Sequence, residues 1–228
     1  MKKLILLASL AAGSQSVQAQ SIAAGTISLG GSIGYFQNTE KSEFKAPNGD
    51  IYTDERAYSQ FQFSPSAGYF VVDNLAVGLN MGYTATRDKN TRTGPRTTNP
   101  AALDARTTLR VGPYVQYYKM VTEQFGVLGT LGAGYQSSFS PFFVNSGGNS
   151  NAVVEAKAKG YYASLTPGVI FFPIPKFGIS ASIGGVGYDR VGVKRSDDID
   201  GESQTESNFG TRFGFDQLQF GGTFYIGR

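Results

Sequence analysis

Hydrophobic and polar residues alternate through residues 61–83, the most regular stretch of the chain. From Phe61 to Val71 and from Leu75 to Tyr83 the odd positions carry mostly apolar or aromatic side chains, and the even positions are mostly Ser, Gly, Gln, Asn and Thr. A period of two predicts extended strands with one apolar and one polar face. The Asp73-Asn74 pair between the runs suits a tight turn, so the stretch predicts an antiparallel hairpin.

The polar face of this hairpin indicates a narrow interior rather than bulk water. A sheet that meets water would carry Lys, Glu and Asp, but the polar positions here carry small uncharged groups. An apolar outer face with aromatic ends and a small polar inner face is typical of a membrane barrel. From Leu75 to Tyr83 a strand tilted by about 40° would rise roughly 20 Å, close to the ~25 Å apolar band of such barrels.

Aromatic pairs recur along the chain about every 50 residues, which corresponds to one strand up and one strand down. One set consists of Gly-Tyr pairs at Tyr35, Tyr83, Tyr135 and Tyr188. A second set, out of phase with the first, is Tyr69-Phe70, Tyr117-Tyr118, Phe171-Phe172 and Phe224-Tyr225. Four such repeats predict an all-β fold, an eight-stranded antiparallel up-and-down transmembrane β-barrel.

Connections between the predicted strands alternate between short and long. The short ones are 71–74, 119–124 and 173–176, and the long ones are 39–56, 88–105, 139–152 and 194–208. Short periplasmic turns and long extracellular loops are typical of outer-membrane barrels, so both termini should be periplasmic. The Pro47–Asp50 stretch indicates a hairpin tip, which would extend the first two strands beyond the membrane.

Two features predict irregular strand pairing. The apolar phase shifts across Gly184-Gly185, and a β-bulge between residues 184 and 187 would restore it. In the last predicted strand, the eighth, Phe213 and Phe215 are out of phase with the residues from Leu218 onward. Three lipid-face prolines also lack the N–H that a ladder needs. We expect a local irregularity at each of them: Pro65, Pro113 and Pro167.

The N-terminus has the pattern of a secretory signal peptide. Two lysines precede the apolar run from Leu4 to Ala12, and Val17-Gln18-Ala19 suits a cleavage site. We expect residues 1–19 to be cleaved and residues 20–228 to form a single barrel domain. The apolar run is shorter than the ~20 residues of a membrane-spanning helix, so a helical anchor is disfavoured.

Composition narrows the chemistry of the chain. The formal net charge of +3 becomes nearly neutral once the leader lysines are removed, so it gives no indication of nucleic-acid binding. Cysteine and histidine are absent, which excludes disulfides and thiol or imidazole catalysis. The mean hydropathy of −0.18 fits a membrane protein only as a barrel, because alternation dilutes hydropathy.

Two stretches resemble a known family. Residues 64–71 followed by residues 73–78 resemble the second hairpin of the outer-membrane protein β-barrel domain family, small porin-like eight-stranded barrels. Residues 219–226, Gln-Phe-Gly-Gly-Thr-Phe-Tyr-Ile, resemble the C-terminal signal that the barrel assembly machinery recognises, although Gly227-Arg228 follow it. The resemblance implies a barrel in the outer membrane, contact with lipid and lipopolysaccharide, and assembly by that machinery. It implies no activity, because such barrels have many functions.

Strand parity places several polar side chains inside the barrel. Arg110 is the one charged residue at an inward position in the predicted membrane band, and Asp216 or Glu155 could pair with it. This pair would be either structural or, less in keeping with eight strands, part of a selective pore. The predicted lumen-lining residues are Gln62, Asn80, Arg110, Tyr114, Gln116 and Asp216.

Two extracellular segments carry weaker signals. Residues 196–201 partly match a calcium loop but lack the glutamate that completes one, so we expect a solvated acidic loop and no metal site. The loop with Arg87, Lys89, Arg92 and Arg96 is basic and could contact lipopolysaccharide phosphates or another partner, although loop charge is ordinarily solvation.

No residue pattern indicates an active site or a cofactor. We therefore expect a monomeric, non-enzymatic envelope protein whose four exposed loops contact lipopolysaccharide or an unknown extracellular partner. The alternative is a narrow porin for small solutes or ions. A soluble lipocalin-like barrel would need charged residues along the outer face at the strand centres, which this sequence lacks.

Overall fold

The computed structural model describes residues 21–95, 104–145, 151–197 and 204–228 of the chain. Within them the chain forms antiparallel strands because apolar and polar side chains alternate with period two. The strands are β1 (Ile27–Lys45), β2 (Ile51–Val72), β3 (Leu75–Thr93), β4 (Arg106–Met120), β5 (Phe125–Asn145), β6 (Asn151–Ile174), β7 (Phe177–Ile183), β8 (Gly185–Arg195), β9 (Gln204–Arg212) and β10 (Leu218–Ile226). No helix in these ranges is long and apolar enough to cross a membrane.

The strands close into a ring of eight. β1 to β6 pair in chain order, β6 pairs with β7 and β8, and β10 pairs with both β7 and β1. β7 and β8 together form the seventh barrel strand, and β9 and β10 together form the eighth. The predicted fold, an eight-stranded antiparallel up-and-down barrel, is therefore confirmed.

The outer surface of the barrel carries an apolar belt. Large hydrophobic side chains are exposed at alternate positions around the ring; Leu79 in the middle of β3 is 65% exposed. Aromatic residues mark the upper edge of the belt, where the rings of Tyr135 and Tyr161 meet edge to face at 6.2 Å. An exposed apolar band of this kind requires hydrocarbon around it, so the chain is a membrane barrel.

The seventh barrel strand contains the predicted bulge. Between Leu165 and Gly168 of β6, the partner strand contributes one residue more than β6 does. The additional residue is Gly184, whose φ of 79° lies in the left-handed region that favours glycine. Opposite this bulge the eighth strand is also interrupted, by a short 3-10 helix at Phe215–Gln217, which explains why Phe213 and Phe215 are out of phase with β10.

The three lipid-face prolines coincide with gaps in the ladders, as predicted. β2 and β3 pair up to Phe63 and resume at Ser66, which leaves Pro65 unpaired on that side. β4 and β5 have the same gap at Pro113. The pairing of β6 passes from β8 to β7 across Pro167. The absence of a proline N–H accounts for each gap.

The predicted tip of the first hairpin at Pro47–Asp50 is confirmed, because β1 continues to Lys45 and β2 begins at Ile51. The other long connections are shorter than predicted, because β3, β5, β6, β8 and β9 extend into them. The short turns are confirmed. In the first of them Asn74 takes a φ of 63°, a conformation that asparagine tolerates. The predicted signal peptide, residues 1–19, lies outside the described residues.

Candidate functional site: the barrel lumen and its lateral seam

Four aromatic rings fill the lumen at the end that carries the short turns, which is predicted to be periplasmic and is called the periplasmic end below. They are the second members of the aromatic pairs in the sequence: the first member faces lipid, and the second points inward because adjacent residues of a strand face opposite sides. Neighbouring rings lie 5.2 to 6.4 Å apart between centroids. We call this set the aromatic plug: Phe70, Tyr118, Phe172 and Tyr225.

Polar and terminal groups complete the aromatic plug. The Tyr118 and Tyr225 hydroxyls lie 3.1 Å apart, and the Arg228 guanidinium lies 3.8 Å above the Phe172 ring, a cation–π contact. The chain before β1 crosses the mouth of the barrel. There the fully buried Ile22 donates its backbone N–H to Asn74 Oδ1 at 2.8 Å. The described residues therefore close the lumen on the periplasmic side.

Tyr114, one of the residues assigned to the lumen from strand parity, lies in the middle of the lumen above the aromatic plug. Its ring lies against two glycines, Gly68 on β2 and Gly78 on β3, where an added side chain would overlap its atoms. The two glycines face each other in the ladder, so they form a flat floor on which the tyrosine packs. A bulky ring therefore fits inside a small barrel only opposite residues that have no side chain.

An amide network joins the predicted residues Gln62 and Asp216. Gln60 and Gln62, both buried on the inner face of β2, donate their side-chain N–H groups to the Asp216 carbonyl at 2.7 and 3.2 Å. Gln219 in turn donates to Gln62 Oε1 and accepts from the Ser32 hydroxyl at 2.8 Å. The network holds the 3-10 helix of the eighth strand in the lumen and satisfies its carbonyl.

Arg110 is in the lumen, but the partners expected for it are wrong. Its Nε donates to Gln136 Oε1 at 3.0 Å, and its guanidinium lies 4.9 Å from the Tyr162 ring centroid. The Asp216 carboxylate accepts instead from Gln217, and Glu155 lies near Lys157. An amide and a π face replace the expected ion pair because those two carboxylates lie elsewhere, while Asp189 acts on Arg110 only through its charge.

The remaining predicted lumen residues, Gln116 and Asn80, differ in whether their side-chain amides are hydrogen-bonded. Gln116 donates to the Thr130 hydroxyl at 2.8 Å and accepts from the Tyr118 hydroxyl at 2.6 Å, so it connects the polar lumen to the aromatic plug. Asn80 Oδ1 is buried without a hydrogen-bond partner among the described residues. Sequence reasoning missed Gln60 and Gln136, although their inward parity marks them in the same way.

The half of the barrel wall near the long hairpins, predicted to be extracellular, has a seam. β1 pairs with β10 only as far as Ile33, and no described residue of β9 pairs with β1. Gln37–Lys45 of β1 and all of β9 are consequently exposed on both faces. Aromatic residues line the outer side of this gap, including Tyr35 and Phe209. The described residues therefore leave the barrel wall between β1 and β9 without backbone pairing at this height.

Ion pairs stabilise the strand extensions above the membrane. Arg92 contacts Asp54 through two hydrogen bonds of 2.6 and 2.8 Å, and these bonds hold the pKa of the Asp54 carboxyl below its usual value. Arg195 binds Asp197 in the same way, at 2.9 and 2.7 Å, and also lowers the pKa of that carboxyl. Arg106 and Asp88 form a looser pair at 3.4 Å.

These contacts change the interpretation of the basic loop and of the calcium-like stretch. Of the predicted basic loop, Arg87 and Lys89 lie on β3, Arg92 is paired inside the hairpin, and Arg96 lies outside the described residues. In the calcium-like stretch Ser196 accepts a hydrogen bond from the Glu155 N–H at 3.0 Å, Asp197 is bound by Arg195, and residues 198–201 lie outside the described residues. The described parts of the chain contain no cluster of three acidic residues suited to a metal.

Comparison with known proteins yields weak structural similarity. No protein-family model and no curated protein matches the chain. Similar solved structures include OprG from Pseudomonas aeruginosa (13% identity, 92% of this chain and 99% of that one, TM-score 0.45). They also include a major outer membrane protein from Thermus thermophilus (10%, 89% and 100%, TM-score 0.44). The outer membrane protease OmpT from Escherichia coli is a further one (10%, 91% and 95%, TM-score 0.33). The strand registers of this chain, rather than these similarities, establish its fold.

Proposed function

We propose that this chain is an integral outer-membrane protein whose barrel is a non-conducting anchor and whose extended hairpins are the contact surface. The carrying observation is the aromatic plug, together with the chain segment that crosses the mouth below it. Eight strands enclose little more than their own side chains, and here those side chains are aromatic and buried at the periplasmic end. The porin alternative would need a continuous aqueous path at that level.

The proposal also covers assembly and activity. The C-terminal stretch that resembles the assembly signal forms β10, which the barrel assembly machinery would place against β1 to close the ring. We propose a monomer, because one chain closes the ring without a second copy. We propose no enzymatic role, because the chain has no histidine or cysteine and no described residues form a nucleophile and base pair.

Planar-bilayer recording tests the anchor proposal. Purified protein inserted into the bilayer should give no steady conductance, because the aromatic plug interrupts the water path. The double variant Tyr118→Ala/Phe172→Ala should add a small leak by removing two of its rings. Steady unitary currents from the native chain would contradict the proposal, whether or not the variant folds.

The seam favours a second candidate function, sideways passage of small apolar molecules. The upper lumen is closed below by the amide network and the aromatic plug, so a molecule that enters from outside can leave only upward or through the seam. Exposed aromatic side chains on both sides of the seam, Tyr35 and Phe209, would favour apolar over charged solutes. The product of such passage would enter the outer leaflet, not the periplasm.

Uptake of the apolar dye N-phenyl-1-naphthylamine by intact cells tests this candidate. Cells that express the native chain should take up dye faster than cells that express Tyr35→Arg/Phe209→Arg, because two cations oppose entry of an apolar molecule into the seam. The matched control is Tyr83→Arg/Tyr135→Arg, on the same belt but on strands paired at both sides. Equal uptake with the native chain and the seam variant would exclude the candidate.

A further inference from the structure

Four cations share one sector of the outer surface at and just above the aromatic belt. Odd positions of β6 and even positions of β8 face outward, because Tyr161 pairs with Arg190 and Lys157 pairs with Lys194. Two lysines on neighbouring strands therefore lie directly opposite each other, an arrangement that repels. We call this set the basic sector: Lys157, Lys159, Arg190 and Lys194, all exposed.

Little inside the described chain balances this charge. Glu155 lies 3.6 Å from Lys157, and among the described residues the other three cations have no ion pair with a carboxylate. The outward side chains of the adjacent strands add no acid: β9 presents Thr205, Ser207 and Phe209, and β5 presents Ser137 and Phe139. By contrast, the outward Lys41 on the far side of the barrel is neutralised by Glu55 at 3.1 Å. The basic sector thus carries positive charge that the nearby carboxylates do not balance, as an anion-binding site does.

Two grooves meet at the basic sector. One has a volume of about 440 Å³ and is lined by Glu155, Lys157, Lys159, Lys194 and neighbouring residues, with Gly192 leaving space between the lysines. The other, of about 250 Å³, shares Lys157 and Lys159 but is lined by Tyr83, Leu109 and Phe139 as well. Two mostly apolar grooves that share the charged side chains of two lysines suit an amphiphile whose charged head and hydrocarbon tail lie side by side.

The height of the basic sector identifies the membrane layer that it meets. Lys159 and Lys157 precede Tyr161 by two and four positions on the same face, which places them roughly 5 and 10 Å above the belt for a tilted strand. The polar headgroup layer extends about 5–8 Å beyond the hydrocarbon on each side. Lys159 is therefore within the headgroup layer, and the long flexible side chains of Lys157 and Lys194, which start just above it, can reach down to the lipid phosphates.

We propose that the basic sector binds the phosphate groups of an outer-leaflet phosphoglycolipid of the lipid A class, with an acyl chain of the same molecule in the adjoining groove. This inference rests on the proposed outer-membrane orientation. Bound phosphate would relieve the repulsion between Lys157 and Lys194 more fully than Glu155 does, because Glu155 pairs with Lys157 alone. The site ends at Glu155 on its extracellular side, because this carboxylate would repel a phosphate.

Binding of bis-phosphorylated lipid A to purified protein in a neutral detergent, followed by native mass spectrometry, tests the proposal. The variant Lys157→Gln/Lys159→Gln/Lys194→Gln should bind roughly 100-fold more weakly, as expected for three cations near phosphate. The control Lys41→Gln/Lys45→Gln/Lys119→Gln removes three other exposed lysines of the outer face and should change affinity by less than about twofold. The same lipid without its phosphates should bind the native chain as weakly as the first variant binds lipid A.

Several outcomes would overturn the proposal. These are equal binding by the native chain and the first variant, an equal loss in the control variant, affinity that survives removal of the phosphates, or full competition by inorganic phosphate alone. Heat-modifiable gel migration of the same samples separates a failed lipid site from a failed barrel, because a folded but non-binding protein leaves the anchor proposal intact.

Discussion

Replacement of Gly78 by valine is expected to prevent the barrel from folding. A Cβ atom at this inward position of β3 would overlap the Ala67 carbonyl oxygen, and it would lie 2.7 Å from the Gly68 Cα and 2.8 Å from Tyr114 Cε1. Two of these atoms belong to backbone in a paired ladder and cannot move without breaking it. We expect the free energy of unfolding to fall by roughly 4 kcal/mol or more, seen as loss of the heat-modifiable gel band.

Gly129→Val is the matched control for this substitution. Gly129 lies on the lipid face of β5, and an added Cβ there would meet nothing within 4 Å. A β-branched apolar residue suits a strand that faces lipid, so the free energy of unfolding should stay within about 0.5 kcal/mol of the native value. If both variants fold equally well, the packing of Tyr114 on a glycine floor is wrong.

Replacement of Phe172 by alanine is expected to cost roughly 3–5 kcal/mol of unfolding free energy, the range for truncating a buried phenylalanine. The side chain is 2% exposed, lies 5.2 Å from the Tyr225 ring and carries the Arg228 guanidinium above it. Its loss leaves a cavity that surrounding strands cannot close, because the barrel circumference is fixed. Urea unfolding from lipid vesicles, followed by gel migration since the chain lacks tryptophan, measures this change.

The neighbouring residue supplies the control. Phe171 has the same side chain but faces lipid and is 43% exposed, and hydrocarbon can fill the space left by Phe171→Ala. We expect a loss of only about 1–2 kcal/mol, the transfer contribution without a cavity. A larger loss for Phe171→Ala than for Phe172→Ala would show that lipid contact, and not the aromatic plug, dominates the stability of this end.

The aromatic pairs show which parts of the candidate site can be predicted from the sequence. Their recurrence predicts the strand number, and strand parity assigns the first member of each pair to lipid. The same parity places Phe70, Tyr118, Phe172 and Tyr225 inside, but their convergence depends on the stagger between strands. Stagger is set by the register of every ladder and is not evident in any one strand. The aromatic plug could therefore be guessed residue by residue but not as a unit.

Strand length above the membrane is hard to predict for a related reason. The hairpin extensions of β1 and β2, and of β5 and β6, contain charged residues such as Lys41, Glu55 and Lys157. These segments therefore lack the apolar alternation of the membrane band. Above the membrane a strand needs only backbone pairing and water on both faces, so hydrophobic period two is no longer required. The paired backbone, with ion pairs such as Arg92 with Asp54, holds these segments extended.

The sequence alone determined the membrane belt, the number of barrel strands, the turn at Asn74, the irregular prolines and the bulge at Gly184, because each depends on side-chain period or on the backbone preference of one residue. The tertiary structure decided what those elements enclose. The partners of Arg110, the closed periplasmic end, the seam beside β9 and the meeting of Lys157 with Lys194 all arise between strands distant in sequence, where only ring closure and register bring side chains together.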